Sequence, residues 1–391
     1  MKILMVHPHD LFSPVEPWTI RIVRLAEELV RKGHRVQLLH FPLPGSQSRN
    51  IGEISVVALE REITPSALAR NTGKVRALLS TSDIVHLQKS HFYAALPVIL
   101  AAYATARPIH YDWDDWEEKI FYRSIHRRTL SVELMGLSFR MLERFLPYWA
   151  DSVSVSSEKL RDLAYSFGAR PERVVLAPVG ASPEMFHTGL DASALRERYG
   201  VGERLLVLYH GQLHSCQYVS LLLEAIRWIY DRSMGDRLLF MIVGSGSELE
   251  SLKEYAAKIG ISDRVIFTGA VPHDEIPMYV AAADVCVAPF EDNEVTRCKS
   301  PLKIVEYLSA GKPIVASDVG EVRVMLDGGS GLLVEPDNLE AFAQGIIELA
   351  DDEERRIAMS ALARQKASTR YNWRWSANNI ESAYEQSVRA Q

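Results

Sequence analysis

The sequence predicts an α/β protein of two doubly wound, Rossmann-like parallel-sheet domains, and three observations carry that expectation. Short apolar runs bounded by turn residues alternate with helical stretches, the pattern of parallel sheets covered on both faces. The alternation runs to Ala177, pauses, and restarts at Leu205. The chain has 391 residues, 47% of them hydrophobic, which is too long for one ordinary core and suits two.

In chain order, Ile3–Val6 reads as a short buried strand and Arg21–Arg31 as an amphipathic helix closed by Gly33. Val36–Leu39, Ile84–Leu87, Pro108–Tyr111, Ser152–Val155 and Val174–Ala177 continue as strands. A long helix is expected over Leu130–Leu146, with Pro147 ending it. After the pause come strand Leu205–Tyr209, helix Ser220–Arg232, strand Leu238–Val243 and helix Glu248–Ile259. Strands Val265–Phe267, Val285–Ala288 and Pro313–Ala316 follow. The expected organisation is a domain over 1–185, a linker over 186–203, a second domain over 204–370 and a terminal helix over 371–391. Two facing domains of this kind leave a cleft at the carboxyl ends of their strands, where ligands bind.

Charge and cysteine content exclude several classes. A net charge of -6 argues against an electrostatic grip on nucleic acid. Cys216, Cys286 and Cys298 are too few and too scattered for a disulfide framework or a paired-thiol zinc site. His210 and His214 beside Cys216 match no standard zinc spacing, so no metal is expected. The apolar run after Lys2 is too short for a signal peptide, and no run approaches the roughly 20 residues of a membrane span. A soluble cytoplasmic protein is the expectation.

The strongest local signal is Ser300-Pro-Leu-Lys-Ile-Val-Glu-Tyr-Leu-Ser-Ala-Gly. Serine before proline reads as a helix start and Gly311 as its stop, giving a helix over Pro301–Ala310 with Ser300 as N-cap. Its amino end would favour phosphate, with Lys303 in the first turn and Arg297 and Lys299 just before it. Glu306 lies three residues after Lys303 on the same face, where an intrahelical ion pair is the simplest use for it. Gly244-Ser-Gly-Ser-Glu joins a strand to a helix but has Leu249 where a dinucleotide fingerprint needs its third glycine. A tight turn explains it equally well.

These segments, with Leu206-Val-Leu-Tyr-His-Gly-Gln-Leu and Asp263-Arg-Val-Ile-Phe-Thr-Gly-Ala-Val-Pro-His, resemble the retaining glycosyltransferases of family 4. Lys32-Gly-His-Arg-Val, Asp83-Ile-Val-His and Tyr371-Asn-Trp-Arg-Trp extend the resemblance over nearly the whole chain. It implies the GT-B fold of two facing Rossmann-like domains, acceptor-binding first and donor-binding second. It implies a UDP- or GDP-linked sugar donor and a glycan, lipid-linked or small-molecule acceptor. It further implies that Glu306 accepts the ribose hydroxyls and that no cofactor is required. Transfer with retention is explained in such enzymes by front-face attack assisted by the donor phosphate, so no protein nucleophile is assigned.

Several positions depart from the family pattern. Cys298 stands eight residues before Glu306, where a carboxylate contacts the donor sugar. Backbone N–H groups from Lys299 through Ser300 to Leu302 are the substitutes. Gln212 after Gly211, and Gln217, replace an arginine and a lysine that hold the diphosphate. Ser13–Thr19 replaces a Gly-rich loop, and Val179-Gly180 replaces an Asn-Gly. Either Arg297, Lys299 and Lys303 supply the missing charge, or the chain is a non-catalytic member that binds a glycan or supports a partner enzyme. A pseudo-glycosyltransferase joining an unusual donor to an amine is the third reading.

In the first domain, Tyr111-Asp-Trp-Asp-Asp follows a strand end. Asp112 and Asp114 are the catalytic candidates, and Asp112, Asp115, Trp18 and His86 the acceptor-binding ones. The competing reading of the three aspartates is a solvated acidic loop that caps the next helix. His7, His9 and His86 read first as packing or hydrogen-bonding histidines. The stretch Lys119–Trp149 is basic with interleaved aromatics, a candidate for peripheral contact with anionic lipid at the inner membrane face. Its alternative is an ordinary sheet-covering helix with snorkelling basic residues.

Overall fold

Runs of Val, Ile and Leu build two parallel sheets. The structure, a computed structural model, describes residues 1–13, 16, 18–125, 127–214, 218–232 and 235–390. The first sheet comprises β1 (Lys2–Val6), β2 (Arg35–His40), β3 (Ser55–Ala58), β4 (Ile84–Gln88), β5 (Ile109–Trp113), β6 (Ser152–Val155) and β7 (Val174–Leu176). Its order is β3-β2-β1-β4-β5-β6-β7. The second comprises β8 (Leu205–His210), β9 (Leu238–Val243), β10 (Val265–Gly269), β11 (Val285–Ala288), β12 (Ile314–Ser317) and β13 (Leu332–Val334). Its order is β10-β9-β8-β11-β12-β13. Each sheet reverses direction beside its first strand, the switch point where such sheets bind ligands. That places the segments after β1, β4 and β5, and those after β8 and β9, at the two binding edges.

Strands β3 and β13 are not among the expected strands, although they lie on the short apolar runs Val56–Leu59 and Leu332–Val334. Both are short edge strands of three or four residues, half-buried, so their runs are too brief to be told from loop by periodicity. Helix α1 (Ile20–Arg31) buries Ile22, Leu25, Ala26 and Leu29, an i, i+3, i+4, i+7 stripe. Helix α2 (Glu117–Arg123) precedes α3 (Leu130–Trp149), which continues through Pro147. Proline removes one backbone bond two residues from the end, and burial of Leu146 and Pro147 holds the last turn in place.

The chain divides into two compact units. The first is Met1–Val179 with Cys298–Ser300 and the residues from Trp373 on; the second is Gly180–Arg297 with Pro301–Asn372. Inside the expected linker, Ser193–Arg198 forms a short helix. Arg196 ties it down, donating to the Ala282 and Arg204 carbonyls and to Asp284 at 2.8 to 2.9 Å.

Two further helices matter for the sites. Helix α4 covers Leu302–Ser309, with Pro301 in an extended conformation at its cap position. The expected cap is therefore corrected: the Ser300 hydroxyl accepts from the Val179 N–H at 3.2 Å and not from the helix. Helix α5 (Trp373–Arg389) packs on α1 and on β5, β6 and β7 of the first unit. Its Tyr384 hydroxyl meets His86 Nδ1 at 2.6 Å, and its Ser387 hydroxyl donates to Ser152.

Candidate functional site

At the binding edge of the first sheet, charged side chains are buried and mutually paired. Asp112, within β5, is fully buried and accepts from Arg21 Nε at 2.8 Å and Arg21 Nη2 at 2.7 Å. The Ser154 hydroxyl donates to the same carboxylate. Burial alone would raise its pKa, but the charge and hydrogen bonds of Arg21 hold it well below the usual range. The expected solvated loop is thus corrected at Asp112, which is an internal ion pair.

Asp114 and Asp115 lie just beyond the strand, around Lys89. The Lys89 ammonium is 3.2 Å from Asp114, 3.4 Å from Asp115 and 2.5 Å from Glu117. Its backbone has φ +65°, a left-handed conformation that lysine adopts at a cost and that clusters at functional sites. Carboxylate oxygens of Asp114, Asp115 and Glu117 converge as they would on a metal ion, but the ammonium stands among them. Burial pushes the Asp114 carboxyl up to about 7, with Lys89 opposing and Asp115 and Asp112 adding to the rise.

A relay connects this carboxyl to the first strand. Gln88 donates its amide to Asp114 at 2.8 Å and accepts from His7 Nδ1 at 2.7 Å. That fixes the His7 tautomer, and Nε2 of this fully buried ring is left without a protein partner. Burial, then His9 and Lys89, keeps His7 neutral. His9 is lowered to about 3, again by burial first. Its ring lies 5.1 Å from that of Trp18, which is 46% exposed. His86 sits deeper, stacked on His110.

The aspartates do not cap α2. Glu143 reaches from α3, and its two oxygens accept the N–H groups of Glu117 at 2.7 Å and Glu118 at 3.1 Å. The Trp113 indole N–H donates to the same carboxylate.

In the second unit, Glu306 on α4 is 1% exposed and its two oxygens face two histidines. His273 Nε2 is 2.7 Å from Oε1, and His210 Nε2 is 3.2 Å from Oε2. Burial, followed by Lys303 and His273, holds His210 neutral. The Lys303 ammonium lies 3.9 Å from the Tyr209 ring centroid and 5.5 Å from that of Phe290. It also borders Gly211, where an added Cβ would come within 2.9 Å of it. Gly244 takes φ +145°, and a Cβ there would meet the Gly211 carbonyl oxygen at 1.8 Å. Backbone from two loops therefore meets a buried cation and a buried carboxylate, a set able to hold a phosphate and a pair of hydroxyls.

The other expected donor residues lie as follows. Arg297 is committed to Asp292 through two bonds of 2.6 and 2.8 Å. Cys298 is buried in the core of the first unit, and its carbonyl accepts from Ser157. Lys299 belongs to the first unit and acts on Glu117 through its charge, and Leu302 opens α4. The Gln212 carbonyl accepts from the Tyr209 hydroxyl. Gln217 and Cys216 lie outside the described residues.

Sequence reasoning singled out neither Lys89, Arg21, Glu143 nor His273. Lys89 had a signal in hindsight: a charged residue directly after the uniformly buried strand Ile84–Gln88. His273 stood in a quoted segment without a role.

Residues 204–352 match the family described as "Glycosyl transferases group 1", and residues 19–180 match the "Glycosyl transferase 4-like domain". The D-inositol 3-phosphate glycosyltransferase of Corynebacterium glutamicum is 25% identical, over 99% of this chain and 97% of its own. A GDP-mannose-dependent alpha-(1-6)-phosphatidylinositol monomannoside mannosyltransferase of Mycolicibacterium smegmatis is 32% identical, over 58% of this chain and 59% of its own. In fold, Anabaena Alr3699/HepE, solved with UDP and glucose, superposes with a TM-score of 0.76 at 20% identity, each chain covered to 98%. Two domain families matched one after the other, on two sheets of one strand order, make this chain a family 4 glycosyltransferase of the GT-B fold.

Proposed function

We propose that the chain moves a sugar from a UDP- or GDP-linked donor to an acceptor hydroxyl with retention of configuration, and that it needs no cofactor. The observation that carries this is the buried Glu306 carboxylate one helical turn from the Lys303 ammonium, beside the Gly211 and Gly244 backbones. The carboxylate accepts the ribose hydroxyls, exchanging His273 for them. The ammonium and the amino end of α4 take the diphosphate. Gln212 contributes hydrogen bonds where an arginine would add charge.

The first unit takes the acceptor, whether a glycan, a lipid-linked sugar or a small polyol. The Corynebacterium relative is named for such a polyol phosphate. Asp114, protonated at about pH 7 and below, and His7 Nε2 are its hydroxyl partners, with Asp115 and Trp18 beside them. Asp112 positions Arg21, and His86, buried within β4, holds the Tyr384 hydroxyl of α5.

Thermal shift with UDP and GDP tests the donor half. A nucleoside diphosphate raises Tm, and Glu306→Ala loses most of that rise. No shift with either nucleotide refutes the reading. Product anomeric configuration, read by NMR, tests retention. A non-catalytic reading draws on Cys298, Gln212 and Gln217 standing in place of a carboxylate and two cations, and on the engagement of Arg297 by Asp292. Under it, Gln212→Arg with Gln217→Lys creates nucleotide binding that the natural chain lacks.

A further inference from the structure

Helix α3 carries two apolar faces. Gly136, Phe139, Leu146 and Pro147 are buried in the first unit. On the opposite side, Leu130, Leu134, Leu137, Met141, Phe145 and Tyr148 are 42% to 78% exposed. At 100° per residue those six fall within an arc of about 80°, and they run along about 27 Å of helix. A helix that merely covers a sheet turns charge outward. An apolar stripe of this length marks contact with another surface.

The charge beside the stripe says what that surface is. Arg123, Arg127, Arg128, Arg140 and Arg144 are all exposed. The acids of the same stretch are mostly withdrawn: Glu117 and Glu118 have side chains 12% and 7% exposed, Glu118 paired with Arg140 at 2.6 Å, and Glu143 is buried. Among the described residues of 117–149, only Glu133 has a half-exposed carboxylate, 3.5 Å from Arg128. A chain of net charge -6 therefore presents basic residues beside its bare apolar stripe. A second copy would bring a further set of arginines, of the same sign, to the stripe. An anionic bilayer offers phosphates to the arginines and an acyl boundary to the stripe. No described helix is long and apolar enough to cross a membrane, so α3 would lie in the interface plane.

We infer that α3 docks the chain on anionic lipid bilayers, with Leu130–Tyr148 sunk to the headgroup–acyl boundary and the flanking arginines on lipid phosphates. This stands on surface geometry and charge, apart from the transferase reading.

Sedimentation with vesicles of phosphatidylcholine, alone or with 3 parts in 10 phosphatidylglycerol, tests it on the full chain. Strong partitioning into the anionic vesicles alone, weakened by salt, is expected. Arg127→Glu with Arg128→Glu lowers the partition coefficient by about tenfold or more. Leu134→Glu with Met141→Glu does the same, and unchanged circular dichroism melting shows these exposed-site variants folded. Equal partitioning into both vesicle types, or no effect of either pair, overturns the inference. So does a concentration-dependent dimer in sedimentation velocity that Met141→Glu dissolves, which would assign the stripe to a second copy.

Discussion

Arg21 grips Asp112 through two parallel hydrogen bonds of 2.8 and 2.7 Å, with both side chains almost wholly out of water. The pair joins α1 to the middle of the first sheet. Its planar, two-pronged geometry is one that lysine cannot reproduce.

Arg21→Met should therefore cost about 3–5 kcal/mol in urea denaturation, because it strands a buried carboxylate. Arg21→Lys should recover only part of it. The Asp112 pKa is depressed in the fold, so its stabilisation is complete above the unfolded value near about 4 and is lost as pH falls below it. Acid unfolding of the natural protein should begin there. A cost under about 1 kcal/mol for Arg21→Met would show that the pair is not the anchor described.

Asp114 behaves oppositely. Its pKa is raised to about 7, so the folded chain holds a proton that the unfolded chain releases above about pH 4. Its contribution is full below the unfolded value, declines as pH rises through the folded one, and is level beyond it. Tm of the natural protein should fall between pH 5 and 7 relative to Asp114→Asn. Parallel Tm profiles for the two proteins would contradict the assignment.

Gly244→Ala should cost about 3 kcal/mol or more, since it forces a side chain into φ +145° and onto the Gly211 carbonyl. The loops must part to admit the methyl. Nucleotide binding, followed by thermal shift, should disappear with it even where the variant remains folded at low temperature.

Glu143→Ala should destabilise by about 2 kcal/mol or more, leaving three N–H donors of Trp113, Glu117 and Glu118 without their acceptor. Glu143→Gln keeps one acceptor oxygen and should be milder. Hydrogen exchange at Glu117 and Glu118 reads the effect directly, and equal exchange in all three proteins would remove Glu143 from that role.

The alternation of apolar runs made most strands legible, because central parallel strands are buried on both faces and read as plain hydrophobic stretches. The edge strands β3 and β13 escaped because their apolar runs are only three or four residues long, too brief for periodicity to mark. Glu306 and Lys303 were legible because one helix turn brings them together. Lys89 with Glu117, Arg21 with Asp112, and His273 with Glu306 were not, since each pair spans elements that only the sheet order brings side by side. Pro147 misled because a helix interior forbids proline more strongly than a last turn does.

Helix α5 completes the first unit with residues that are made only after the whole of the second unit. His86 and Ser152 in that sheet have partners in Tyr384 and Ser387, while the roughly 200 intervening residues belong mainly to the second unit. At about 5–20 residues per second, the nascent first unit waits some tens of seconds for its closing helix. During that interval the α5 seat on α1 and β7 is bare, an apolar surface for chaperones to cover. The order of synthesis is thus the reverse of the order in which the two units can be finished.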